Sequence, residues 1–268
     1  MRHKKMSDSP LNGWRIVVTR AQEQSGTITE QLSNLGATVI NIPTIEICPP
    51  ATWAEIDAAI QKISSYDWLI FTSTNGVDFF FRRLRELNAT LPPRLKVCAV
   101  GKITAGRLNA IGINVDLTPT ENRGEGLFEA LKETIGDDRL SKMRFLFPRA
   151  QEGREELPDG LRQLGALVDV VEAYRTVLPA FDKNEITKRF GNGVDLVVFS
   201  SPSSVKNLAA MLGESFNEVL DNAHIACIGP TTSEQANRFG LHVVIEPAEQ
   251  NSAKLVEEIV NFRLRNAG

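Results

Sequence analysis

Versatile side chains are scarce in this chain of 268 residues, which holds three cysteines, three histidines and two tyrosines. Cys48, Cys98 and Cys227 are odd in number and show no metal-ligand spacing, which excludes a disulfide framework and predicts a reducing compartment. Cys98 and Cys227 lie in the apolar runs KVCAV and HIACIG and read as packing. His3, His224 and His242 are far apart in sequence, so no metal site is expected. The chain has no GxxxxGK[ST], no GxGxxG after a strand, no HExxH, no GxSxG and no CxxC. No apolar run approaches the roughly 18 to 20 residues that span a bilayer. The start, MRHKKMSDSPLNG, lacks the apolar core of a secretory signal, and residues 1–12 read as a frayed tail. Neither sign of charge dominates: 30 Lys and Arg against 33 Asp and Glu leave a net charge of −3. A general basic surface for nucleic acid or anionic membrane is thereby excluded. The expected setting is cytoplasmic.

What is present is a repetition. TRAQEQSGTITEQLSNLGA, from Thr19 to Ala37, returns as PRAQEGREELPDGLRQLGA from Pro148 to Ala166, with eight of 19 positions identical at an offset of 129. DWLIFTS at Asp67 returns as DLVVFSS at Asp195, and VCAVGKIT as IACIGPTT, both at an offset of 128. Gly112 pairs with Gly240 and Pro119 with Pro247 at the same offset. A shared apolar pattern is common to any two α/β stretches. A constant offset carrying identical Gly, Pro, Ser and Thr points to an internal duplication.

Each half reads as apolar strand, polar turn and amphipathic helix in succession. Strands are expected at residues 15–19, 39–42, 68–72, 97–100 and 114–117, and again at 144–147, 168–172, 196–200, 225–228 and 242–245. Continuous runs such as WLIF and LVVF suit strands buried on both faces of a parallel sheet. Helices are expected over 26–35, 75–87, 104–111 and 126–135 and their counterparts; Leu127 and Leu131 match Leu255 and Ile259 as the buried stripe of a surface helix. Gly36, Gly112, Gly165 and Gly240 fall where a helix ends in a left-handed residue. The fold class is α/β: two five-stranded, flavodoxin-like parallel-sheet domains, with proline-rich connectors near Pro43 to Pro50 and Thr176 to Phe181.

In open α/β sheets, ligands bind at the carboxyl ends of the strands. The turns there read TRAQE, FTSTNG, VGKIT, FPRAQE, FSSPSS and IGPTT, placing Ser, Thr or Gly where helices begin. Free first-turn N–H groups and the helix dipole attract carboxylates or phosphates. Arg20 and Arg149 add a fixed positive charge, one per half. Singly, Ser73, Thr104, Ser201 and Thr232 read equally well as N-caps; as a set, the turns suggest a broad cleft for a polyanion. Tyr66 opens a strand at the opposite end and reads as packing. Tyr174, in the connector sequence VEAYRT, either donates a proton or packs against the linker.

The ordered series VVTRA, LIFTS with the helix near Gly76-Val77, VGKIT, FPRA, EAYRT, FSSPSSV and IGPTT resembles the uroporphyrinogen-III synthase family from about Trp14 to Arg263. Two departures stand out: Asn75 replaces a residue commonly basic in the family, and Asn122-Arg123-Gly124 replaces a Tyr-Thr-like loop. The resemblance implies a cofactor-free lyase that cyclises hydroxymethylbilane with loss of water and inversion of the last pyrrole ring. It implies Tyr174 as general acid, with Ser73, Thr104, Ser201, Thr231 and Thr232 contacting substrate beside Arg20 and Arg149. It further implies a discontinuous domain order, 1–42 with 178–268 and 46–173 between, joined by a two-stranded linker. A monomer is expected, with transient contact to the enzyme supplying the unstable substrate. The rival from another class is a non-catalytic two-domain binding protein for a small polyanion, which would normally carry an export signal. A two-lobed nucleotide-sugar transferase would want an acidic metal or ribose clamp, and none is found.

Overall fold

The computed structural model describes residues 9–20, 22–120 and 124–266, with backbone alone over 22–27. In chain order the elements are β1 (Arg15–Val18), α1 (Gln22–Asn34), β2 (Thr38–Asn41), β3 (Glu46–Cys48), α2 (Ala54–Gln61), β4 (Trp68–Phe71), α3 (Thr74–Glu86), β5 (Lys96–Ala99) and α4 (Lys102–Ala110). There follow α5 (Gly124–Ile135), α6 (Asp137–Leu140), β6 (Arg144–Ala150), α7 (Glu156–Gln163), β7 (Leu167–Val177), α8 (Lys183–Phe190) and β8 (Leu196–Phe199). The chain ends with α9 (Pro202–Leu212), α10 (Phe216–Leu220), β9 (His224–Cys227), α11 (Pro230–Arg238), β10 (Val243–Ile245) and α12 (Ser252–Arg265). It divides into two compact units: the described residues up to Glu46 with those from Val177 onward, and Ile47–Thr176.

In the first unit the strand order is β10-β9-β8-β1-β2, all parallel. Side chains alternate across the sheet as the pleat requires. Val17, Val197, Phe199, Ile225 and Cys227 pack on the face covered by α8, α9 and α11. Ile16, Val18, Leu196, Val198 and Ala226 pack on the other face with Ile28, Leu32, Leu255 and Ile259 of α1 and α12. The apolar runs are continuous because both faces are dry.

The second unit orders its strands β3-β7-β6-β4-β5. Leu69 and Phe71 face α2 and α3, whereas Trp68 and Ile70 face Leu127, Leu131 and Leu161 of α5 and α7. Strands matched by the 128–129 offset hold matching places in the two sheets: β8 and β4, β9 and β5, β1 and β6, β2 and β7. The matching extends to a clamp at the strand starts. Asp195 Oδ2 accepts the Arg15 N–H at 2.8 Å, and Asp67 Oδ2 accepts the Arg144 N–H at 2.8 Å.

Several expectations are corrected. Residues 114–117 form no strand; Leu117 makes one bridge to Cys98, because the Asp116 carboxylate takes the Val97 N–H at 2.8 Å. β3 and α2 were not foreseen: three residues are too short a strand to show a period, and α2 follows a proline pair. Residues 9–12 are not frayed, since Leu11 is fully buried and its N–H donates to the Leu35 carbonyl at 2.9 Å; residues 1–8 lie outside the described residues. Gly36 and Gly165 hold φ of +93° and +98°, the left-handed conformation expected where helices end.

Residues 47–176, expressed alone, should unfold in one cooperative transition on urea titration, because they hold a complete sheet with both faces covered. Residues 1–130 should not, because β1 then lacks β8 and β4 lacks β6. Circular dichroism of the two fragments checks this.

Candidate active site

The site is built where β4, β6 and β7 meet the start of α3. Ser73, in extended backbone just past β4, caps α3: its Oγ accepts the Gly76 N–H at 3.1 Å. The same Oγ lies 3.1 Å from the Tyr174 hydroxyl, where either oxygen can donate. Gly76 permits the approach, since a Cβ there would stand 3.1 Å from the Pro148 carbonyl and 3.3 Å from Ser73 Oγ. Tyr174 is a residue of β7, paired with Ala150 of β6 across a register shift that follows Arg149. Its expected place in a connector is therefore corrected: β7 runs on to Val177, and Tyr174 is buried. Its ring stacks on Phe79, with centroids 5.8 Å apart and planes inclined by 23°, and the Arg82 guanidinium lies 4.5 Å from the Phe79 centroid. Phe79 has no local signal as a site residue, because FFF reads as helix core.

α3 is itself anchored. Arg83 donates to both Asp57 oxygens at 2.7 and 2.6 Å, joining α2 to α3, and its third nitrogen reaches Glu86 at 2.8 Å. These Arg83 bonds hold the Asp57 carboxyl below its usual range, against the smaller opposing push of burial.

Arg149 lies within β6, not in a turn, because the strand continues through FPRA. Its side chain is buried; Nη1 donates to the Arg154 carbonyl at 2.5 Å and Nη2 to the Glu155 carboxylate. Its Nε is buried without a hydrogen-bond partner. Thr104 and Thr232 are third residues of α4 and α11, buried at 5% and 2% exposure, and cap nothing. Gly101 and Gly229 hold the cap positions instead, so neither helix has a side-chain cap. α4 keeps its first-turn donors, whereas α11 opens on Pro230 and its Thr232 N–H donates to the Gly229 carbonyl at 3.0 Å, leaving the Thr231 N–H. Thr231 is exposed beside Thr232. Ser201 caps α9 through a capping box with Ser204. Arg20 is half-buried two residues past β1.

Thus Ser73 and Tyr174 meet on the α2–α3 face of the second unit, whereas Arg149 lies on the other face of β6 over the Phe147 ring, and Thr104 stands in the first turn of α4. Arg20, Ser201, Thr231 and Thr232 occupy the strand ends of the first. A groove of about 660 Å³ in the first unit, lined by Asn41, Ile42, Pro43, Phe181, Glu185 and Arg189 among others, contains none of them. Cys227 sits at the end of β9, where burial pushes its thiol up to about 12, with Ser233 partly offsetting it, so it stays protonated and unreactive. Tyr66 bonds Asp169 at 2.5 Å at the amino end of the sheet, and burial followed by that bond raises its phenol strongly. Among the described residues no cluster of three or more His, Cys, Asp or Glu could hold a metal ion, and no helix is long and apolar enough to cross a membrane. Asn122 and Arg123 lie outside the described residues.

The arrangement defines a class: a two-unit, doubly wound α/β protein with uncapped helix starts, an ordered phenol and a buried arginine at its strand ends. The family model described as uroporphyrinogen-III synthase HemD matches residues 26–257. A uroporphyrinogen-III synthase of Synechococcus elongatus is 34% identical over 252 residues, covering 91% of this chain and 93% of the relative. The solved uroporphyrinogen-III synthetase of Helicobacter pylori is 18% identical at a TM-score of 0.62, covering 93% and 99% of the two chains. A mutant synthase of Thermus thermophilus is 14% identical at 0.60, covering 94% and 99%. These two establish the likeness of fold. The chain belongs to the uroporphyrinogen-III synthase family, and is thereby an enzyme, a cyclising lyase of tetrapyrrole biosynthesis, and not a passive binding protein.

Ser73→Ala removes the cap of α3 and should cost about 1 kcal/mol of stability, with Ser73→Thr recovering most of it in urea titrations. The Asp57–Arg83 contribution, set by a depressed carboxyl, is complete above the unfolded value near 3.8 and disappears as pH falls through the lower folded value. Asp57→Asn should therefore lower stability at pH 7 and flatten its loss below pH 4, read from melting temperatures across that range.

Proposed function

We propose that this chain converts hydroxymethylbilane into uroporphyrinogen III, and that Tyr174 is its general acid. The observation carrying that role is the Ser73–Tyr174 hydrogen bond at the start of α3. In the first step the bond from the terminal methylene to its hydroxyl breaks, the Tyr174 proton goes to the departing oxygen, and water leaves. The pyrrole nitrogen lone pair stabilises the resulting cation. The phenolate is stabilised by a hydrogen bond from Ser73 and by the positive end of the α3 dipole. Attack through the substituted carbon of the last ring gives a spirocyclic intermediate. Its cleavage frees the neighbouring methylene, and the unsubstituted α-carbon of the inverted ring bonds to that methylene. The proton this carbon loses restores the pyrrole and returns the phenolate to phenol.

Unassisted closure of the bilane gives the non-inverted isomer, so much of the catalysis is orientation. Arg149 and Arg20 meet carboxylate arms, as do the first-turn donors of α4 beside Thr104 and the Thr231 N–H of α11 beside Thr232, and Ser201 contacts substrate at the start of α9. A monomer in the cytoplasm suffices for this chemistry, with transient contact to the enzyme that supplies the labile substrate.

Purified protein should yield mainly isomer III without added metal or nucleotide, and a chelator should leave the rate unchanged; chromatographic separation of isomers III and I decides it. Product indistinguishable from the spontaneous isomer I would overturn the assignment. Tyr174→Phe should lower turnover by up to about 10²-fold, the low end for general acid catalysis, because a pyrrolic hydroxyl departs readily. Thr232→Ala should cost less, since backbone donors survive. A Tyr174→Phe enzyme as active as the parent would move the acid elsewhere.

A further inference from the structure

Glu155 stands at the cap position of α7, yet its carboxylate makes no capping bond. It turns to Arg149, whose Nη2 donates to it while Nη1 donates to the Arg154 carbonyl. The pair is buried on one side only: the Arg149 side chain is 10% exposed and that of Glu155 is 53% exposed. A cation is thus fixed on the face of β6 turned to α5 and α7, its guanidinium 5.6 Å from the centre of the Phe147 ring, while its anion comes from the solvent side. Glu155 engages one terminal nitrogen, and Nε remains buried without a partner. A guanidinium recognises a carboxylate best through two nitrogens at once, so Arg149 is held but not satisfied. The other Glu155 oxygen already lies 4.0 Å from Arg162 Nη1, and the donors of its own helix are one residue away. Leaving Arg149 costs Glu155 little, because a helix N-terminus and a second cation lie beside it, the latter held only by an exposed 3.3 Å contact to Asp159 and by the Val168 carbonyl at 3.1 Å.

We propose that Glu155 is an internal stand-in for a carboxylate arm of the substrate. In the free enzyme it keeps the buried guanidinium paired, which a lone buried charge would require. An acetate or propionate arm displaces it, taking Nη2 and Nε together, and Glu155 moves to Arg162 and the start of α7. Glu155 and Arg162 thereby set how tightly the carboxylate arm is held, although neither belongs to the series of strand-end turns. The inference rests on the reading that Arg149 meets a substrate carboxylate.

The test is steady-state kinetics of the full chain on hydroxymethylbilane, with melting temperatures alongside. Glu155→Gln should lower KM about three- to tenfold, because a larger fraction of enzyme then presents Arg149 unblocked. Arg162→Ala, at an exposed position, should raise KM by removing the alternative partner of Glu155, and should have no effect once Glu155 is Gln. A Glu155→Gln enzyme with unchanged or raised KM overturns the proposal, as does an Arg162→Ala effect that persists in the double variant. If Glu155→Gln fails to fold, Arg162→Ala alone decides: a raised KM supports the exchange and an unchanged KM overturns it. Arg149→Ala separates the two levels of the argument. An unchanged KM there shows that Arg149 meets no carboxylate, whereas a raised KM with no response to Glu155→Gln leaves that reading standing and removes only the stand-in.

Discussion

Each sheet depends on pairing a strand with a partner far away in sequence. A parallel strand cannot be satisfied by a hairpin, so β1 must find β8, with Ile16 opposite Leu196, before its backbone is paired on both sides. β4 likewise waits for β6, with Trp68 opposite Phe145. Asp195 and Asp67 secure these joins: each carboxylate accepts the first N–H of the neighbouring strand at 2.8 Å, and each aspartate N–H donates back to the Arg15 or Arg144 carbonyl at 2.9 Å. Hydrogen bonds to charged groups contribute about 1.5–3 kcal/mol each, enough to oppose a one-residue slip that would turn Val17 or Leu69 to the wrong face.

The same pairing decides which polar side chains meet at the strand ends. Once β6 and β4 are neighbours, β7 lies against β6, and Tyr174 comes within hydrogen-bond reach of Ser73, although 101 residues separate them. The extension of β6 through Pro148 and Arg149 carries the guanidinium into the buried layer, and the register shift before Ala150 brings Tyr174 opposite it. A phenol stacked on Phe79 and bonded to a capping serine has few rotamers left, so its hydroxyl is held in one place.

Much of this was legible along the chain. Runs such as WLIF and LVVF announced two-sided burial, and helix ends at Gly36 and Gly165 were marked by a residue that tolerates positive φ. The ordered turns carried the family resemblance. Other features left no local trace. β3 is too short for a period to show; Thr104 and Thr232 resemble caps in sequence, but glycines take that position; and Asp116 competes with a strand for one N–H. The pairing of Glu155 with Arg149 and the stacking of Phe79 on Tyr174 depend on where loops and helix faces fall in space.

The sequence by itself determined the α/β class, the approximate elements, the set of strand-end turns and the family, because periodicity, turn chemistry and motif order are local and read along the chain. Tertiary structure alone decided which strands adjoin, which residues cap, and which side chains meet the phenol and the buried guanidinium. Those outcomes follow from long-range pairing, in which the neighbours of a residue are chosen by register and burial and not by its place in the sequence.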